Sequence, residues 1–499
     1  MSENYTKLIN RLRDITNIGH AEDILSWDQE TQMPHGGAEA RASQMATLAK
    51  LGHEMLTSDE TSKLLDAAKS ELNGADYDSD EASMIRVVSQ DYEDATKLPS
   101  SFVAERTEQV ALAHNVWVEA REKADFSIFS DALKKLIDLN LQEAELRGYD
   151  EHPYDALMGQ YERGMKTSEV TAIFDAHRPK LVELIAKIAD AKQVDDSFLH
   201  YNFEQNKQRD FGLKMVKAFG FDFNRGIQAI SVHPFCTNFS KNDVRITTRF
   251  EDDFLNPALF GMMHEAGHGM YEQGIADSLE GTPLCAGTSL GVHESQSRMW
   301  ENIVGRSKGF WSWALPQIKE TFPQLADVTL DQFFKGANKV EPSFIRVEAD
   351  EATYNLHIIL RFEIEQGILT GDIKVDDLPE VWNSKFTEFF GITPENDADG
   401  VLQDVHWSAG LFGYFPTYAL GNLLSVQYYN KAISDIPSIP DDIANGKFDT
   451  LLNWLNSNIH QHGRKFTGQE LTQRITGESI QSDDYIQYLT DKYTEVYGL

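Results

Sequence analysis

The sequence predicts a mainly α-helical protein with one small antiparallel β-sheet beside a single well-marked helix. Three observations lead there. Residues 1–190 read as helix after helix, with apolar residues at helical spacing. The first alternation of polar with apolar or β-branched residues comes late, at Asp243–Phe250. Helical patterning then resumes after Glu294.

Leu8, Ile9, Leu12 and Ile15 mark an amphipathic first helix that runs on into Ile24–Trp27. Met33-Pro34-His35-Gly36-Gly37 breaks the pattern, and Ala38 to Leu51 restores it. The acidic stretch 70–80 is a polar loop. Helical periodicity returns over Glu81–Arg147 and again over 166–193, after a Thr-Ser start. No repeat of a solenoid period occurs, and no Pro/Ser linker marks a boundary, so the chain reads as one domain, 1–499. Trp27 is expected to pack beside a turn Asp28. His114 and His177 read as ordinary surface or core histidines.

Ile230–Phe235, broken by Pro234, is the expected antiparallel partner of the strand at Asp243–Phe250. An exposed edge there can bind an extended peptide, or the pair can be a plain hairpin packed on helices. Asn256-Pro257 then starts a helix, with Asn256 as the expected cap and Pro257 in the first turn. Leu259, Met263, Met270 and Tyr271 recur at helical spacing, and Gly274 supplies the stop.

That helix carries His264-Glu265-Ala266-Gly267-His268, an H-E-x-x-H pattern. Residues four apart share a helix face, so both imidazoles can converge on one cation. Glu265 lies beside them and can take a proton from a metal-bound water. A hydrolytic zinc site needs a third protein ligand and an open position. Glu294, in Gly291–Asn302, can return on a second helix to complete a His₂Glu set. Arg298, at i+4, can orient Glu294 or form an exposed ion pair with it. Against all this stands a solvated histidine pair that binds no metal.

With 45 Lys+Arg against 79 Asp+Glu, the net charge is −34. Such a surface repels nucleic acid and anionic membrane and reads as a solubilising coat. Cys236 and Cys285 make no disulfide framework; Cys285 lies between the two ligand segments but reads as a small buried hydrophobe. No apolar leader and no apolar run of membrane-spanning length occurs, so a cytoplasmic location is expected.

Six blocks carry a family resemblance: residues 24–37, 154–165, HEAGHGMYEQG, HESQSRMWEN, 345–358 and 403–422. In this order they resemble the thermostable (Taq-type) metallocarboxypeptidases over almost the whole chain. The resemblance implies a large helical metallopeptidase with a deep central cleft, helices of about 1–190 as wall and lid, and a zinc-site region of about 230–425. It further implies a homodimer, peptide substrates shortened from their C-terminus with broad specificity, and one Zn2+ per chain, with Co2+ or another divalent ion as alternatives. His406 and Tyr414 are the implied oxyanion donors, with Tyr418 in reserve; an aromatic-rich core turn is the competing reading. Arg346 is the implied anchor of the substrate carboxylate, with Arg245, Arg249 and Arg298 as rivals and an ion pair to Glu348 or Glu351 as the structural alternative. His233 and Arg245 are counted with the substrate contacts. Glu348, Asp350 and Glu351 read as partners of Arg346, Arg361 or the ligand histidines rather than a second metal site, and His460 and His462 as a polar turn. An endo-acting oligopeptidase and a non-catalytic helical protein with a relict site are the other classes considered.

Overall fold

The computed structural model describes residues 3–499, which are helical apart from loops and one three-stranded sheet. The chain divides into two compact units, each built from three stretches of sequence. The first comprises residues up to 96, 196–337 and 428–478; the second comprises 97–195, 338–427 and 479–499. Residues 1–190 are thus shared between the two.

In the first unit, helix Glu3–Thr31 buries Tyr5, Leu8, Ile9 and Leu12 against helix Asp59–Glu71 and its neighbours. Ser58 caps that second helix by accepting from the Thr61 N–H. The same apolar cluster takes in Ile275, Leu279 and Leu284 from the segment that follows the H-E-x-x-H helix. The N-terminal helices therefore clamp the connection between the two predicted ligand segments.

The sheet differs from expectation. Its strands are β1 (Gly226–Ile230), β2 (Cys236–Ser240) and β3 (Asp243–Thr248), in the order β1-β3-β2. β1 pairs with β3 in parallel and β2 pairs with it antiparallel, so the sheet is mixed. Residues 231–235, expected as a strand, are the connection from β1 to β2. Pro234 offers no N–H to a ladder. The Ser231 hydroxyl bonds to the His233 carbonyl and to Thr247 Oγ1 at 2.6 Å each, which fixes the bend.

Helix Asn256–Gly274 lies on this sheet and is buried on most sides. Gly269 permits the contact: a Cβ there would stand 2.6 Å from the Phe221 ring and 3.4 Å from Ile246 Cγ2. The helix begins and ends where expected, but Asn256 is its first residue rather than its cap. Leu255 precedes it, and Asn256 Oδ1 is buried without a hydrogen bond.

The second unit is organised around helix Glu351–Thr370, apolar on most faces and capped by Asp350, which accepts from the N–H groups of Ala352 and Thr353. Helices Ser100–Lys123 and Ser127–Arg147 form an antiparallel pair beside it. They hold the loop before helix Pro416–Asp435: Trp117 Nε1 donates to the Leu402 carbonyl at 3.0 Å, and Arg106 donates to the Gly410 carbonyl at 3.0 Å. No helix among the described residues is long and apolar enough to cross a membrane.

Candidate metal centre and active-site residues

In the first unit, His264 and His268 project one turn apart from helix Asn256–Gly274, their ring centroids 4.9 Å apart. A fifteen-residue connection leads to helix Leu290–Arg298, capped by Ser289 through the Val292 N–H. Glu294 on that helix turns its Oε2 to both rings, 3.5 Å from His264 Nε2 and 3.4 Å from His268 Nε2. Ligands about 2.0–2.1 Å from a tetrahedral centre stand roughly 3.4 Å apart. The three donors therefore fit a small divalent cation. Gly267 sets the spacing of the helices. A Cβ there would lie 2.6 Å from the Gln296 carbonyl oxygen and from Ser297 Cα, so the two backbones touch.

Each of these three side chains is held from behind. Arg298 Nε donates to Glu294 Oε1 at 2.7 Å, as the i+4 spacing suggested. Met299–Val304 forms a π-helical turn that brings Glu301 Oε2 to 2.9 Å from His264 Nδ1. Arg298 and Arg306 both donate to Glu301 at 3.3 Å. His268 Nδ1 faces His293, which in turn meets Glu272. His460, read as part of a polar turn, is fully buried and bonded to Gln296 and Asn456. Cys285 packs against the apolar cluster and points its thiol at Glu280.

In the second unit, Arg346, His406, Tyr414 and Tyr418 gather around Asp404. Arg346 Nε and Nη2 donate to Asp404 Oδ1 at 3.0 and 2.8 Å, and its Nη1 donates to Tyr354 Oη at 2.9 Å. Arg361 Nε donates to Asp404 Oδ2 at 2.6 Å. His406 Nε2 lies 3.4 Å from Tyr418 Oη, and its ring is 5.4 Å from that of Tyr414. Gly413, at φ +84°, lets this loop press on the Met158 backbone; a Cβ would stand 2.5 Å from Met158 N. Buried Glu365 holds the loop by accepting from Tyr154 Oη, Trp407 Nε1 and the Gly413 N–H. The ion pair considered for Arg346 is thus made to Asp404, whereas Glu351 pairs with Lys492 and Asp350 serves as a cap.

The other candidates lie on or near the sheet. Arg245 makes a two-pronged pair with Asp243 at 2.9 and 3.0 Å and stacks on Trp27. Arg249 pairs with Glu251 at 2.8 Å. His233 is exposed in the β1–β2 connection.

The family model for carboxypeptidase Taq (M32) metallopeptidases matches residues 7–493. The chain is 40% identical to thermostable carboxypeptidase 1 of Thermus thermophilus, over 99% of each chain, and 38% identical to carboxypeptidase 1 of Bacillus subtilis, over 98% of this chain and 97% of the relative. A crystal structure of an M32 carboxypeptidase from Deinococcus radiodurans superposes with a TM-score of 0.97 at 40% identity, covering all of both chains. Trypanosoma cruzi metallocarboxypeptidase 1 superposes at 0.93 with 33% identity, over 98% of this chain and 99% of that one. The chain belongs to the M32 metallopeptidase family. It is a metallocarboxypeptidase, and the family implies a divalent metal and peptide substrates.

Burial in this M32 carboxypeptidase lifts the Glu265 carboxyl to about 7; His264 opposes the shift, while Glu294 and Glu301 add to it. Burial also works against a charged Glu294, but Arg298 and His264 outweigh it and hold its pKa well below the ordinary range. Glu301 is brought to about 2, the penalty of burial again outweighed, here by Arg298, His264 and Arg306. Burial takes His406 down to about 4, with Asp404 opposing and Arg346 and Arg361 reinforcing. Sequence reasoning missed Glu301, Glu272 and the part played by His293, and missed Asp404 as the clamp on two arginines. Glu301 and His293 lie inside the HESQSRMWEN block, Glu272 inside HEAGHGMYEQG and Asp404 inside 403–422, so membership of these blocks was the available signal.

Proposed function

We propose that this metallocarboxypeptidase uses zinc, with His264, His268 and Glu294 as ligands and Glu265 as general base, to remove C-terminal residues from peptides with broad specificity. The observation that carries the reading is the approach of Glu294 Oε2 to 3.4–3.5 Å from both histidine Nε2 atoms, which project from the helix that also bears buried Glu265. A divalent cation held there supplies a Lewis acid and lowers the pKa of water. Glu265, shifted to about 7, is poised to take a proton from the attacking water and pass it to the leaving amine nitrogen. His406, neutral at pH 7, and Tyr414 are proposed to donate hydrogen bonds to the oxyanion, with Tyr418 in reserve. Arg346 is proposed to supply positive charge for the substrate carboxylate, with His233, Tyr418 and Arg245 as further substrate contacts. The whole chain is proposed to act as one catalytic domain, as a homodimer in the cytoplasm; sedimentation equilibrium and cell fractionation test the last two points.

The deciding experiment pairs a peptide with its C-terminal amide. Loss of a charge-assisted contact to a buried cation costs about 2–5 kcal/mol, or roughly thirty- to several-thousand-fold in kcat/KM. An amide cleaved as fast as the acid makes the enzyme an endopeptidase. If Arg346 is the anchor, Arg346→Ala and amidation are non-additive. Additive losses assign Arg346 to its Asp404 pair alone.

A further inference from the structure

A line of side chains leads from the cation site to the sheet. His268 Nδ1 lies 2.5 Å from His293 Nδ1, and His293 Nε2 lies 2.7 Å from Glu272 Oε1. Glu272 is buried and fixed on both oxygens: Oε1 also accepts from the Gly287 N–H, and Oε2 accepts from Asn238 Nδ2 on β2, each at 3.2 Å. The proton placement follows. A carboxylate has no proton to give, so His293 Nε2 carries one and donates it to Glu272. The other nitrogen of a neutral His293 ring is then a bare acceptor. The proton between the two rings therefore sits on His268 Nδ1, and His268 Nε2 is left as a lone pair facing Glu294 and His264.

The ring of His293 is confined as well as bonded. It packs on His268 and Tyr271 with centroids 4.6 and 5.2 Å apart. It fits only because residue 287 is glycine: a Cβ there would stand 2.5 Å from His293 Cδ2. His264 is served differently, through a single bond to Glu301.

We propose that His293 and Glu272 are a positioning pair that fixes the tautomer and ring orientation of His268 as a cation ligand. Neither touches substrate or the reacting atoms. The inference rests on the cation site assigned above. It is tested on the full-length protein by zinc affinity, measured by competition with a chelator, and by the visible absorption of the Co2+-loaded protein. His293→Phe keeps the ring and removes both nitrogens. Glu272→Gln keeps the shape and lets its amide donate to His293 Nε2, which releases the tautomer. We expect His293→Phe to weaken zinc binding about 10–100-fold and to shift the Co2+ bands. Glu272→Gln should act in the same direction, and the double variant should bind no more weakly than His293→Phe. Zinc bound as tightly by His293→Phe as by wild type, unmoved Co2+ bands, or additive losses would overturn the pair. If His293→Phe does not fold, Glu272→Gln decides by the same two readouts. A wild type that binds no zinc overturns the cation site itself, whereas tight binding by wild type and variants alike overturns only the pair.

Discussion

The first unit gathers lone pairs; the second pairs two cations with one carboxylate. Around His264, His268 and Glu294, each side chain is bonded from behind by Glu301, His293 or Arg298, and the remaining nitrogen or oxygen of each points to a common position. Around Asp404 charges are paired instead: one carboxylate takes hydrogen bonds from two buried guanidinium groups, which leaves the trio with a net charge of +1. The first arrangement offers a cation three converging donors, whereas the second is held together by charges of the protein itself. Function and stability should therefore separate between the two under mutation.

Glu265→Gln should break the chemistry most. It keeps size and polarity but cannot accept the proton, so turnover should fall about 10²–10⁴-fold with metal content unchanged. Near-wild-type turnover in a metal-replete variant would remove Glu265 as the base. Asp404→Asn should do the opposite. Arg346 and Arg361 would be left as buried unpaired cations, at a cost of about 3–5 kcal/mol in unfolding free energy, while zinc stoichiometry stays at that of wild type. Equal denaturation midpoints in wild type and variant would show that Asp404 does not stabilise the two arginines as described.

A pH titration of stability sharpens the contrast within the second unit. His177 is fully buried there, and burial takes its pKa down to about 4. The unfolded chain binds that proton near the ordinary value of 6.5, so the stabilising contribution is present above pH 6.5 and is lost as pH falls towards 4. The full effect is on the order of 3 kcal/mol. His177→Gln should flatten this part of the stability curve in denaturant melts, and an unchanged slope would assign it elsewhere. The smallest effect expected is from Gly267→Ala. Its Cβ meets backbone rather than flexible side chain, so helices Asn256–Gly274 and Leu290–Arg298 must part, costing about 1–3 kcal/mol and weakening zinc binding together. Unaltered zinc affinity would show that the ligand set tolerates the separation.

What could be read from sequence was local. The bounds of helix Asn256–Gly274, the shared face of His264 and His268, and the Arg298–Glu294 contact all follow from helical spacing. What could not be read depends on backbone departures or distant segments. Glu301 reaches His264 because the helix widens into a π turn, which ordinary i,i+4 reasoning does not contain. Glu272 meets His293 only after the intervening connection folds on the N-terminal cluster. β1 pairs in parallel with β3, which follows it in sequence only after β2, so its short Gly-Ile-Gln-Ala-Ile run gave no hairpin signal. Asn256 looked like a cap by residue type, yet the chain enters the helix one residue earlier in that geometry.

In the proposed cation site, the backbone contact at Gly267 would also act as a gauge of ionic size. Side chains can swing, but two helix backbones that already touch cannot close further, and the packed sheet and terminal helices resist their opening. The distance from the helical pair to its carboxylate is thereby set close to the span required by an ion with bonds of about 2.0–2.1 Å. Calcium, with oxygen ligands at about 2.3–2.6 Å and six to eight of them, is too large and too demanding for this bite. In the proposed cation site, a glycine that donates no ligand at all would thus help to select against an abundant hard cation.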